Sequence, residues 1–256
     1  MNKLFVGYST KIELPNRGGF LFIDDEVPDI RRARVFNPTK CFFNPLKGLT
    51  HVRARELANV LYTTTPQGEN TLTVRNGRRA LLSLLLANKR LDKIEAPEKA
   101  EPGVIDAVEL VKDILMSPVL KEMLCSGKEA FSFDMRSPIV ARVNRAELGE
   151  FDSLVIGLIL MNHYRGQLII PHLEFYGRDA HVSLIRQGRL IAGVECLDDL
   201  PLRLRRAVLS IPDRVGRGVL YDDAVTLAKY SGLRFDPLRE NSDFNNFVDE
   251  VMSSEE

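Results

Sequence analysis

The chain has 256 residues, 45% of them hydrophobic and 27% charged, with 35 Lys plus Arg set against 35 Asp plus Glu. That composition excludes a disordered polymer and supplies a core for one large domain or two small ones, while the zero net charge excludes a global field that would drive the molecule onto nucleic acid or an anionic membrane, so any such contact needs a local patch. Cys41, Cys125 and Cys196 are far apart and lack C-x-x-C spacing, which excludes a disulfide framework and fits a reducing cytoplasm; the longest apolar run, Leu154 to Met161, falls well short of the roughly 20 residues that span a bilayer.

In chain order, Lys3–Val6 and Gly19–Ile23 are short apolar bursts beside Gly, Pro or Asn, as strands are. Apolar positions at helical spacing predict helices over Val52–Tyr62 and Thr71–Arg90. Lys89–Gly103 is charged, holds Pro97 and Pro102, and reads as a solvated connection and candidate hinge. Helices follow at Val104–Met116 and Pro118–Cys125, the second with proline in its first turn, where the missing N–H costs little. Then come a strand at Ile139–Val143, a helix at Phe151–Tyr164, a strand at Leu168–Phe175, a helix at Asp179–Gln187, a strand at Leu190–Cys196, and helices at Leu202–Ser210 and Asp222–Tyr230. Strand and helix alternate over this stretch, which predicts a doubly wound α/β sheet. The tail from Asn241 to Glu256 is polar and acidic.

Apolar strands that end beside carboxylates place chemistry at the carboxyl edge of such a sheet. Glu174 is the candidate acid there, as a metal or catalytic group or as a solvated strand-end residue. His172, Glu174, Asp179 and His181 form a ligand-like set, the first two on one strand face by the period of two, but no further Cys or His stands nearby and no metal site is expected. Arg186 and Arg189 precede the strand at Leu190, and Arg203, Arg205, Arg206, Arg214 and Arg217 form a second basic stretch; they suit phosphate contacts, or pair with Asp179 or Glu195. No G-x-S-x-G, H-E-x-x-H or dinucleotide fingerprint occurs.

Phe-Ile-Asp-Asp-Glu from Phe22, Val-Phe-Asn-Pro from Val35, Asn-Pro-Leu at Asn44–Leu46, a helical block, Ile-Arg-Gln-Gly-Arg-Leu-Ile-Ala-Gly at Ile185–Gly193 and Tyr-Asp-Asp-Ala-x-x-Leu-Ala at Tyr221–Ala228 form one ordered series. This order resembles the RecA-like DNA-pumping ATPases, a superfamily that includes conjugation coupling proteins, chromosome translocases and viral packaging ATPases. The resemblance implies a RecA-like, mostly parallel α/β core at 1–50 and 131–240, a helical insertion at 51–130 and an acidic tail at 241–256. It also implies contacts to DNA or a neighbouring subunit for Arg186 and Arg189, and Mg-ATP as the cofactor.

Two departures temper that implication. No G-x-x-x-x-G-K-[ST] loop occurs; Leu4-Phe-Val-Gly-Tyr-Ser-Thr-Lys stands in its place, with Thr10 and Lys11 in the wrong relation and no second glycine, so Lys11 is the one residue offered for nucleotide binding. The family's acidic strand end is reduced to a single Glu174 after Pro171-His172. The expectation is therefore a cytoplasmic DNA-packaging or DNA-transfer component of a virus or mobile element, working with DNA and other motor subunits or as a homo-oligomer, without hydrolysing ATP alone. The alternatives are an active ATPase whose phosphate loop is built around Gly7–Lys11 or supplied by another chain, and a structural or assembly protein.

Overall fold

A computed structural model describes residues 2–7, 12, 14, 15, 18–25, 28, 30–64, 72–126, 129–211 and 214–216. Lys11, the Tyr221–Ala228 motif, the helix expected at Asp222–Tyr230 and the acidic tail lie outside the described residues. Nine strands are described: β1 Lys3–Val6, β2 Phe20–Asp24, β3 Arg34–Phe36, β4 Cys41–Phe42, β5 Glu129–Ala130, β6 Ile139–Arg142, β7 Gln167–Ile170, β8 Leu190–Val194 and β9 Arg214–Gly216. The α-helices among the described residues are α1 His51–Leu61, α2 Leu72–Ala87, α3 Pro102–Met116, α4 Pro118–Lys121, α5 Arg145–Leu148, α6 Glu150–His163, α7 Leu173–Tyr176, α8 Val182–Arg186 and α9 Leu202–Val208.

The main sheet runs β3-β6-β2-β7-β8-β1-β9, and β4 and β5 form a small second sheet. Every described pairing is parallel, as in Leu168↔Leu190 and Lys3↔Ile191. This is the α/β, mostly parallel, doubly wound architecture expected from the sequence. A strand inside such a sheet is covered on both faces, so it reads as an unbroken apolar run. Leu-Ile-Ala-Gly-Val of β8 is buried at every position and Phe-Leu-Phe-Ile of β2 likewise.

Packing divides the chain into two compact units, one formed by the described residues of Met1–Phe22 and Gly166–Glu256, the other by those of Ile23–Arg165. In the second unit α1 packs on α2 and α6, and α2 on α3. Leu57, Leu61, Leu81, Leu85, Ala107 and Ile114 are all buried in this layer. Thr50 caps α1 by accepting from the Arg53 N–H, and Ser117 caps α4 by accepting from Leu120, with Pro118 at the expected first position. Pro102, expected within a connection, instead opens α3.

Lys89–Gly103 does not have the character of a free hinge. Arg90 makes two hydrogen bonds to the Asp92 carboxylate, 2.8 and 2.9 Å, and a third of 3.2 Å to the Cys125 carbonyl. Asn44 holds the Lys89 carbonyl at 2.7 Å, and Leu91 and Ile94 are buried. The segment is solvated over much of its length, 95–99 being exposed, and its amino-terminal end is tethered by Asn44 and Cys125, which are distant in sequence.

In the first unit β1, β7 and β8 form the buried centre, tied at one margin by Asn2, whose amide donates to the Ile185 carbonyl and whose Oδ1 accepts from the Leu190 N–H. Gly193 is fixed by steric closeness: a Cβ there would lie 2.4 Å from the Pro171 carbonyl oxygen. Backbone cannot move aside as a flexible side chain can, so Gly193→Ala is expected to cost about 1–3 kcal/mol, the range for overpacking a tight interior. Denaturant titration checks this, and an unchanged midpoint would contradict the close approach.

Candidate functional site

The sequence predicts one strand from Leu168 to Phe175, and the structure corrects this. β7 ends at Ile170, the chain turns at Pro171 and His172, and Leu173–Tyr176 is a short helix. Proline has no N–H for a sheet ladder, so the strand stops there. His172 and Glu174 therefore do not share a strand face, yet the turn still brings them together, with His172 Nδ1 3.2 Å from Glu174 Oε1.

The third member of this group was not anticipated as a ligand. Glu195 follows β8, and because β7 and β8 are parallel neighbours in register at Ile170↔Ala192, their carboxyl ends reach the same edge. Glu195 Oε1 lies 3.9 Å from His172 Nδ1. The Glu174 side chain is 17% exposed, and its Oε2 is shielded with no hydrogen-bond partner among the described residues. His172, Glu174 and Glu195 each offer one ligand atom, all within 4.8 Å of one another. One imidazole and two carboxylates suit zinc or manganese better than magnesium, which takes oxygen ligands.

Asp179 and His181, the other half of the ligand-like set, are turned to structural work. Asp179 accepts from the Leu204 N–H at 3.2 Å. His181 is 4% exposed, and its Nδ1 accepts from the Arg178 N–H at 3.1 Å. Burial, with the nearby Arg178 charge adding to it, pushes its pKa down to about 3, so it is neutral at ordinary pH.

Arg217 and the side chain of Arg214 lie outside the described residues, and the other five candidate arginines separate into two groups. Arg189 donates to the Gly166 carbonyl at 3.1 Å and to Gln187 at 2.9 Å, and Arg205 forms an ion pair with Asp198. Arg186, at the end of α8, and Arg203 and Arg206, on α9, are exposed and line one cavity of about 460 Å³ with Asp179. The periodicity of α9 explains the division, because residues three apart share a helix face and residues two apart do not. Three guanidinium groups thus face a cavity with one carboxylate in its lining among the described residues, an arrangement suited to phosphate oxygens.

No family model and no curated protein matches the sequence. Solved structures do. VirB4 of Thermoanaerobacter pseudethanolicus superposes with a TM-score of 0.51 at 12% identity, over 91% of this chain and 81% of that one. A bacterial conjugative coupling protein, TrwB, determined in complex with sulphate, superposes with a TM-score of 0.52 at 14% identity, over 83% of this chain and 66% of its own. At these identities the likeness is one of fold, and the chain has the α/β fold of these two proteins.

Proposed function

We propose that the chain is a DNA-transfer or DNA-packaging component of a mobile element or virus, built on a RecA-like ATPase fold and without ATP hydrolysis of its own. The observation that carries this reading is the convergence of Arg186, Arg203 and Arg206 on one cavity, a local cationic patch on a molecule with no net charge. The likeness to a conjugative coupling protein supports DNA transfer as the class of process. The sequence supports the lack of independent turnover: it has no G-x-x-x-x-G-K-[ST] cradle for a triphosphate. Partner subunits of a motor, or further copies of this chain, complete the machine in this reading, with Mg-ATP bound by those partners.

DNA affinity measured across a salt series tests the reading. The triple variant Arg186→Gln, Arg203→Gln, Arg206→Gln is expected to bind duplex DNA about tenfold to hundredfold more weakly, with a salt slope lower by about 3, one for each phosphate no longer neutralised. Magnesium-dependent ATP turnover should be no higher in the wild type than in Glu174→Gln. A clear excess in the wild type would replace this reading with that of an active motor whose phosphate loop lies around Gly7–Lys11 or on another chain. Absence of both DNA binding and association with a nucleotidase would leave an assembly protein.

A further inference from the structure

The second unit contains a cavity of about 600 Å³ that the reading above does not use. Its size falls within the roughly 300–1,000 Å³ of small-molecule sites. One wall is aromatic. Phe43, Phe131 and Phe133 line the cavity, their ring centroids 5.0 Å apart for Phe43–Phe133 and for Phe131–Phe133, and all three surround the buried Phe36. Two backbone bonds, Phe131 N–H to Phe42 O at 2.8 Å and Phe43 N–H to Met123 O at 2.9 Å, hold this wall in place, and the Arg34 guanidinium donates to Ser132 O at 2.9 Å. The Arg34 guanidinium lies over the Phe131 ring, 4.6 Å from its centroid, while Phe133 is half-buried and Met135 beside it is 55% exposed, so the wall is open to a ligand in part.

The opposite chemistry comes from Arg53, Arg165 and Lys47, which line the same cavity. Glu56 lies 3.6 Å from Arg165, a loose ion pair, and among the described residues no carboxylate lines the cavity itself. Arg53 donates one hydrogen bond to the His163 carbonyl at 3.1 Å, but its Nε, like Nη2 of Arg165, has no acceptor among the described residues. Burial first, and Arg165 second, lower the pKa of Arg53, as expected of guanidinium groups short of counter-charge. An anion in the cavity relieves that deficit.

We propose that this cavity binds a nucleotide unit, its base against the Phe131–Phe133 wall and its phosphate toward Arg53, Arg165 and Lys47. Aromatic ring surface and a concentrated cationic edge within one pocket match the two halves of a nucleotide, and stacking on one ring is indifferent to base identity. The unit belongs either to a free mononucleotide or to single-stranded DNA. A base inside a duplex has both faces covered by its neighbours and does not enter. The inference deepens the nucleic-acid reading and rests on it, but it uses none of the residues on α8 or α9.

The test measures the affinity of the full chain for a labelled oligo-dT, for the same sequence as duplex, and for dTMP as competitor. Phe133→Leu is expected to weaken oligo-dT binding about fivefold to hundredfold, the range for removing one stacking platform, and to leave duplex binding unchanged. Lys47→Glu and Met135→Glu, both at exposed positions that leave the core intact, should weaken oligo-dT binding in the same way and keep the proposal testable if Phe133→Leu fails to fold. Competition by dTMP identifies the free nucleotide as a ligand; binding of oligo-dT without such competition identifies the strand. Wild-type affinity for both probes in Lys47→Glu and Met135→Glu would overturn the proposal, as would equal losses on duplex and single strand. Loss in Lys47→Glu with none in a folded Phe133→Leu would also overturn it, leaving an anion patch without a base site. In each case the duplex binding of the α8–α9 triple variant reports on the proposed function separately.

Discussion

Phe36→Ala is expected to lower stability by about 3–5 kcal/mol, the range for emptying a core position of an aromatic ring. Phe36 is 0% exposed at the end of β3, and its ring meets Phe43, Phe131 and Phe133 at centroid distances of 5.8, 5.2 and 5.3 Å. Such pairs contribute about 0.5–1.5 kcal/mol beyond area burial, so one truncation loosens three neighbours together. Chemical denaturation measures the loss. Val35→Ala, one residue away at 46% exposure, is the control and should change stability by no more than about 0.5 kcal/mol. A Phe36→Ala loss as small as that of the control would show that the four rings are not packed as a unit.

The second large effect is a fall in stability as the medium turns acid. His181 is pushed down to about 3, chiefly by burial, and His163 to about 4, by burial first and then by Arg53 and Arg165. A histidine whose pKa is lowered by folding binds its proton more readily when unfolded, so stability climbs with pH between the two values. The contribution is complete above the unfolded value of about 6.5 and is lost as pH falls toward 4 and then 3. Denaturation midpoints should therefore be flat above pH 7 and decline below about 6, by a total on the order of a few kcal/mol. His181→Asn retains an acceptor for the Arg178 N–H and should flatten part of that decline. An unaltered pH profile in this variant would show that His181 is not held neutral by its surroundings.

Much of the fold could be read in advance because parallel strands covered on both faces leave a one-dimensional trace. Phe20–Ile23, Leu168–Ile170 and Leu190–Val194 are each continuous apolar runs, and each is a strand. The trace failed where two periods overlap. Leu173, Phe175 and Tyr176 satisfy an extended continuation of β7 as well as one helical turn, and the proline before them decides for the turn. Of the edge cluster, His172 and Glu174 were legible because they are neighbours in sequence. Glu195 was not, since only the pairing of β7 with β8 carries it there. The arginines were legible as a basic stretch, and the spacing along α9 separates Arg203 and Arg206 from Arg205. The aromatic wall left a misleading local signal: Phe131, Phe133 and Met135 alternate with Ser132 and Asp134 as strand residues do, yet only Glu129–Ala130 is a strand there, and the rings meet Phe36 and Phe43 only through folding.

The position of β1 sets an order of events for the nascent polypeptide. Its two partners, β8 and β9, both come from the far end of the chain, so Leu4-Phe5-Val6 leaves the ribosome long before either neighbour exists. Until translation passes Val194, this greasy segment is an unsatisfied edge, open to pairing with other chains. Among the described residues β8 and β9 are thus the closing step of the sheet, and interrupted synthesis leaves the apolar β1 without its partners.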